Sequence, residues 1–340
     1  QKISNEIERI GGDFNAYTTN ERTCFHIKVL QKHFSIAVEV LADILQHSLF
    51  REKDIKKERN VVLKEIDMVH DEPRYYQWVL FQQHLFQKHP SKYPTYGDRK
   101  VIKGLSREKV TQFFHKYYHP SNMVVCIVGD VDKWKKEIAS KLMLTPGKVA
   151  RPNIVIEAPA TTAYEKKEKK KNASTYTIMG FKTVPRVHPD AYVLEIINGI
   201  LGRGQSGWMF TKLRGKLGLG YEVGTQHIAE RTYGYFAVYA TIDKKNVKLV
   251  KSLMLREMKK LQHVTEKDLQ EAKDFIEGSY YLELDDSQKL ADQILFWEQV
   301  KDAHLLNEFL PTIKKITVKD VQRVAKQYLK NPLFVVVEGK

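Results

Sequence analysis

The chain is short of cysteine and of long apolar runs, and each shortage excludes a class of protein. Two cysteines in 340 residues cannot build a disulfide scaffold. Cys24 and Cys126 both sit in apolar, strand-like runs, which suit two reduced, buried thiols. The longest apolar stretch, Met123 to Val128, is far short of the roughly 20 residues a membrane helix needs. No signal-peptide core and no transit-peptide pattern opens the chain. G-x-x-x-x-G-K does not occur. Although Gly202-Arg-Gly-Gln-Ser-Gly207 spells G-x-G-x-x-G, it follows an expected helix rather than a strand and is read as a flexible turn, not a phosphate loop.

What is present is ordinary globular material. The 42% hydrophobic and 11% aromatic content rules out a disordered or collagen-like chain. The net charge of +15 raises the possibility of nucleic-acid binding. Its densest run, Glu165 to Lys171, has no interleaved aromatic residues, and no helix-turn-helix, zinc-finger or RNP pattern accompanies it. That run is expected to be a solvated linker edge, so nucleic acid is not an expected partner. The excess still favours association with acidic molecules.

A long-range repeat organises the chain. Glu52-Lys-Asp-Ile55 opens a helix ending near Asp71-Glu-Pro73, and Glu266-Lys-Asp-Leu269 opens another ending near Asp285-Asp-Ser287. Leu105-Ser106 starts a helix to Tyr117 followed by an expected strand at 123–129; Ile316-Thr317 starts a helix to Tyr328 followed by a strand at 333–339. One order of elements at a nearly constant offset indicates two copies of one domain. The reading is α+β: two homologous domains, each a mostly antiparallel sheet with helices packed on one face. The boundaries are 1–147 for the first domain, 148–171 for a Pro-, Gly- and Lys-rich linker, and 172–340 for the second. In the second copy, strands are expected at about 173–182, 219–229 and 232–242, and helices at about 188–201, 206–213, 245–263, 265–283, 286–300 and 316–328. The first-copy counterpart of strand 173–182 falls before residue 1, which predicts at least about 40 further residues upstream.

Glu58 and Glu65 lie seven apart on the first-copy helix. At 3.6 residues per turn this places both carboxylates on one face, about 10.5 Å apart along the axis. Their second-copy counterparts are Ala272 and Ser279, so only one copy carries acids there. That asymmetry suits a duplicated architecture with a single metal site, although lysine-paired acids on a solvated face have the same spacing. His115 and His119 are four apart at a helix end, but no acid lies between them and Pro120 follows at once, so a structural or surface role is expected.

Several segments together resemble a known family. Gly11-Gly-Asp-Phe-Asn-Ala-Tyr-Thr18, Glu58-Arg-Asn-Val-Val-Leu-Lys-Glu65, Tyr117-Tyr-His-Pro-Ser-Asn-Met123 and Leu213-Arg-Gly-Lys-Leu-Gly-Leu-Gly-Tyr221 are similar, in order, to segments of the insulinase-like zinc peptidases. This family includes the mitochondrial processing peptidases and their bacterial relatives. The resemblance implies a zinc ion held by an inverted H-x-x-E-H and a third glutamate, with a water in the open position. It maps the third ligand to Glu65 and a supporting acid to Glu58. H-x-x-E-H occurs nowhere in the chain, and the family spacing of about 75 residues puts it before residue 1.

The resemblance further implies that Asn15, Ala16 and Tyr17 belong to an edge strand to which a peptide adds. Asn15 capping a turn is the simpler alternative. Arg214 and Tyr221 are implied to orient the substrate backbone and stabilise its oxyanion. Their spacing alone does not put them on a shared face, because Gly218 and Gly220 break the helix. The expected activity is zinc-dependent endopeptidase cleavage of peptides or unfolded protein segments, within a homodimer or a heterodimer with a related subunit. A non-catalytic scaffold or substrate-binding subunit is the alternative. A reducing, cytoplasmic location is expected from the cysteines, with mitochondrial matrix or periplasm as alternatives.

Overall fold

The computed structural model describes residues 2–131, 134–149 and 156–339. The chain forms two compact units: Gln1–Ile66 with Thr95–Asn153 and Glu283–Gln299, and Asp67–Pro94 with Ile154–Leu282 and Val300–Lys340. Residues 150–155 of the expected linker lie outside the described residues.

In the first unit, β1 (Asp13–Thr18) and β2 (Thr23–Lys28) form an antiparallel hairpin, with Asn15 opposite His26 and Tyr17 opposite Cys24. The turn into β1 needs glycine at two positions. Gly11 adopts φ +70, and a Cβ on Gly12 would lie 2.7 Å from the Ile7 side chain. Ile7 is itself fully buried, so the Gly-Gly pair sets the strand against a core residue. The Phe34–Gln46 helix buries Ala37, Val38, Val40 and Ala42 at helical spacing. The Glu52–Asp71 helix buries Ile66 alone and leaves most of its surface to solvent.

The stretch 123–129, expected to be a strand, is not one. Its apolar composition has β propensity, but a strand needs a ladder partner. Among the described residues of this unit, the only strands are β1 and β2, and they pair with each other. Val124 and Val125 are 44% and 58% exposed as a result.

The second unit holds a five-stranded sheet in the order β3-β7-β4-β6-β5, with β3 (Tyr164–Lys169), β4 (Thr175–Lys182), β5 (Gly220–Ala229), β6 (Gly234–Ile242) and β7 (Leu333–Glu338). Only β3 and β7 run parallel. The Asp190–Gly202, Val247–Lys259 and Val318–Tyr328 helices build the larger core on one face, around Phe236, Phe334 and Leu194. The Pro73–Leu85 helix covers the other face, setting Leu80, Phe81 and Leu85 against Ile178, Tyr235 and Val335. Burial on both faces explains why β7 reads Leu-Phe-Val-Val-Val without alternation. Gly180 makes the second packing possible, since a Cβ there would fall 2.2 Å from the Phe81 ring.

Two expectations change in this unit. The lysine-rich run is an edge strand, β3, rather than a linker edge; its pairing with β7, about 170 residues away, is invisible to local composition. The Leu305–Lys315 helix is also present although Pro311 interrupts its pattern.

Candidate functional site

Glu58 and Glu65 both project from the Glu52–Asp71 helix, and both are exposed. Among the described residues neither has a hydrogen-bond or ion-pair partner. Lys57 and Lys64, adjacent in sequence, are not bonded to them. Glu58 borders a cavity of about 840 Å³ walled by Ile44, Leu49, Phe50, Ile55, Val62 and Leu105. The second-copy counterpart Ala272 has a packing reason to be small. It is fully buried, and a Cβ placed on Gly199 would lie 3.2 Å from the Ala272 Cβ. A carboxylate at 272 would be driven into that helix contact without a partner.

The peptide-strand candidates lie on β1. The Asn15 Oδ1 accepts from the Ala16 N–H at 2.8 Å, a local turn-like contact inside the strand. Tyr17 reaches a partner with no sequence signature. Its phenol donates to Asp292, on the Ser287–Val300 helix of the same unit. Burial, then that carboxylate, pushes the phenol's pKa well above its ordinary value. The Arg22 guanidinium stands 5.3 Å from the Phe296 ring centroid, and Lys28 pairs with Asp286 at 2.8 Å. The hairpin is therefore braced along its length by residues 283–299. Asp292 and Asp286 are the positions that sequence reasoning missed, since nothing local marks a contact spanning 275 residues.

Arg214 and Tyr221 belong to the second unit, and the fold does bring them together. Arg214 lies in a π-helical turn, Thr211–Lys216, that continues the short Trp208–Phe210 helix. Such turns recur at functional sites. Gly218, at φ +61, reverses the chain, and Tyr221 is the extra residue of a bulge at the start of β5. The Arg214 Nη1 donates to the Tyr221 carbonyl at 2.6 Å, and its guanidinium carbon stands 5.2 Å from the Phe210 ring centroid. Tyr221 is 73% exposed. Beside it, Glu222 pairs with Arg74 at the edge of a second cavity of about 510 Å³ lined by Trp78, Gln226, Tyr235 and Tyr239.

A metal needs three or more converging donors. Among the described residues no group of three or more His, Cys, Asp or Glu side chains is placed to hold a metal ion. Glu58 and Glu65 are carboxylates without an accompanying imidazole, so these residues do not by themselves fit a zinc site. The His119 Nδ1 lies 3.4 Å from the Thr145 carbonyl, in keeping with a structural role. Cys24 and Cys126 are unpaired and half-buried rather than fully buried, and burial raises the pKa of both thiols. No helix among the described residues is long and apolar enough to cross a membrane.

The family model for the peptidase M16 inactive domain matches residues 104–276, about half of the chain. The chain belongs to the peptidase M16 family. The model for insulinase (peptidase family M16) matches residues 1–99, the segment that carries Asn15, Glu58 and Glu65. Arg214 and Tyr221 fall in the inactive-domain match. A Bacillus subtilis protein named uncharacterized zinc protease YmxG is 28% identical over 338 residues, covering 96% of this chain and 80% of its own length. A Streptomyces coelicolor protein, also named an uncharacterized zinc protease, is 28% identical and covers 96% of this chain and 74% of itself. A protease from Helicobacter pylori shares the fold with a TM-score of 0.90 at 21% identity, over 99% of this chain and 84% of that one. A peptidase M16 inactive domain from Pseudomonas fluorescens does so at 0.88 and 20%, over 99% and 83%.

Proposed function

We propose that this M16 chain takes part in zinc-dependent cleavage of peptides or unfolded protein segments, working as a dimer or with a related subunit. Glu65 is assigned as a carboxylate donor to the metal and Glu58 as the acid that holds it in orientation. The two imidazoles such a site requires are not among the described residues. A peptide is assigned to β1 at Asn15, Ala16 and Tyr17 by strand addition, and the Arg214–Tyr221 pair is assigned to orient a peptide backbone. The observation that carries the reading is the pair of exposed, unpartnered acids on one face of a helix that has lysines beside both.

Metal analysis with a peptide-cleavage assay tests it. The expected result is about one zinc per active chain, cleavage abolished by a chelator, and loss of both zinc and activity in Glu65→Gln. Cleavage that survives complete zinc removal would refute it.

The alternative, a non-catalytic scaffold or substrate-binding subunit, is supported by the inactive-domain match. It predicts a chain that binds unfolded peptide, carries no zinc and does not respond to Glu65→Gln.

A further inference from the structure

The lysine-rich strand β3 forms one edge of the five-stranded sheet, and among the described residues nothing pairs with its outer side. Its hydrogen-bond parity is set. The Tyr164 N–H donates to the Pro332 carbonyl at 3.0 Å, and the Lys170 N–H to the Glu338 carbonyl at 2.9 Å. In a parallel pair, residues of one parity turn both N–H and C=O to the partner. Glu165, Lys167 and Lys169 therefore turn theirs outward.

The charges on this edge are unevenly satisfied. Glu165 is neutralised by Lys251 at 2.5 Å, and Glu338 is shared by Lys167 and Lys244. The acids of β3 and β7 are thus paired, Glu168 with Lys166 at 3.2 Å, whereas Lys169 is exposed with no acidic partner among the described residues. So are Lys245 and Lys248, which in sequence neighbour Lys244 and Lys251 and lie next to the exposed Asp243. Lysines on an edge strand normally deter pairing. They do so by making the burial of another lysine or a neutral strand unfavourable, and the same charge makes an acidic strand the one favourable addition.

We propose that the outer edge of β3 receives an acidic, extended segment of a partner protein, which adds to the sheet with its carboxylates on Lys169, Lys245 and Lys248. Backbone bonds to residues 165, 167 and 169 give affinity, and the unpaired lysines select charge. The interaction stands apart from peptide cleavage and needs no metal.

Fluorescence anisotropy on the intact chain tests it, using a labelled peptide of alternating glutamate and valine. The acidic peptide is expected to bind, with affinity falling as salt rises, and the corresponding glutamine and lysine peptides to bind roughly tenfold more weakly or worse. N-methylation of alternate amides separates strand addition from simple charge attraction. Methyl groups on the peptide edge that faces β3 are expected to abolish binding, and those on the opposite edge to leave it unchanged. Lys169→Glu should weaken the acidic peptide roughly tenfold. Three results would each overturn the proposal: no binding of the acidic peptide, equal tolerance of both methylation patterns, or equally tight binding of a single-stranded oligonucleotide.

Discussion

Glu157→Gln tests the energetics of the second unit most directly. The Glu157 carboxylate accepts from the backbone N–H groups of Gln87, Lys88 and His89 at 2.9, 2.5 and 2.6 Å, and from the Lys182 ammonium at 2.9 Å. Its side chain is 9% exposed and that of Lys182 is 10% exposed. Burial by itself raises its pKa, yet Lys182 and the three amides pull it down to about 2. A shift from near 4.5 to about 2 corresponds to roughly 3 kcal/mol, which residual solvent screening reduces to about 2 kcal/mol.

The glutamine variant loses that contribution, aims an amide N–H₂ at backbone donors, and leaves a buried lysine unpaired. A total cost of about 2–4 kcal/mol at pH 7 is expected. Because the folded pKa is depressed, the stabilisation is complete above the unfolded pKa and declines as pH falls through the folded one. The gap between native and variant should therefore shrink by about 1–2 kcal/mol between pH 7 and pH 3. Urea denaturation followed by circular dichroism at both pH values measures it. Parallel losses in both proteins, or a cost under about 0.5 kcal/mol at pH 7, would refute the account.

Other variants probe separate elements. Gly180→Ala forces a methyl group against the Phe81 ring and should cost about 1–3 kcal/mol by overpacking, with Gly180→Ala/Phe81→Leu recovering part of it in thermal melts. Tyr17→Phe removes the donor to Asp292; amide exchange at residues 13–18 should quicken roughly tenfold, and unchanged exchange would show that the contact does not brace the hairpin. Thr317→Ala breaks the capping box with Asp320 and should cost about 1 kcal/mol in urea denaturation, with little further loss in the Thr317→Ala/Asp320→Ala pair.

The sequence alone was enough for whatever depends on neighbours along the chain. Helical spacing put Glu58 and Glu65 on one face, a strand was legible at 232–242, and Ile316-Thr317 marked a helix start. These follow from backbone geometry within a few residues, so local composition reports them. Tertiary structure decided what depends on distant partners. The lysine run became β3 because β7 offered it a ladder, and the apolar stretch 123–129 stayed out of a sheet because no strand among the described residues pairs with it. Tyr17 found Asp292, and Arg214 reached the Tyr221 carbonyl across a glycine reversal that helical spacing does not describe. A strand or a bridging carboxylate gains its stabilisation from groups that only the folded chain brings within reach, and no local pattern encodes which groups those are.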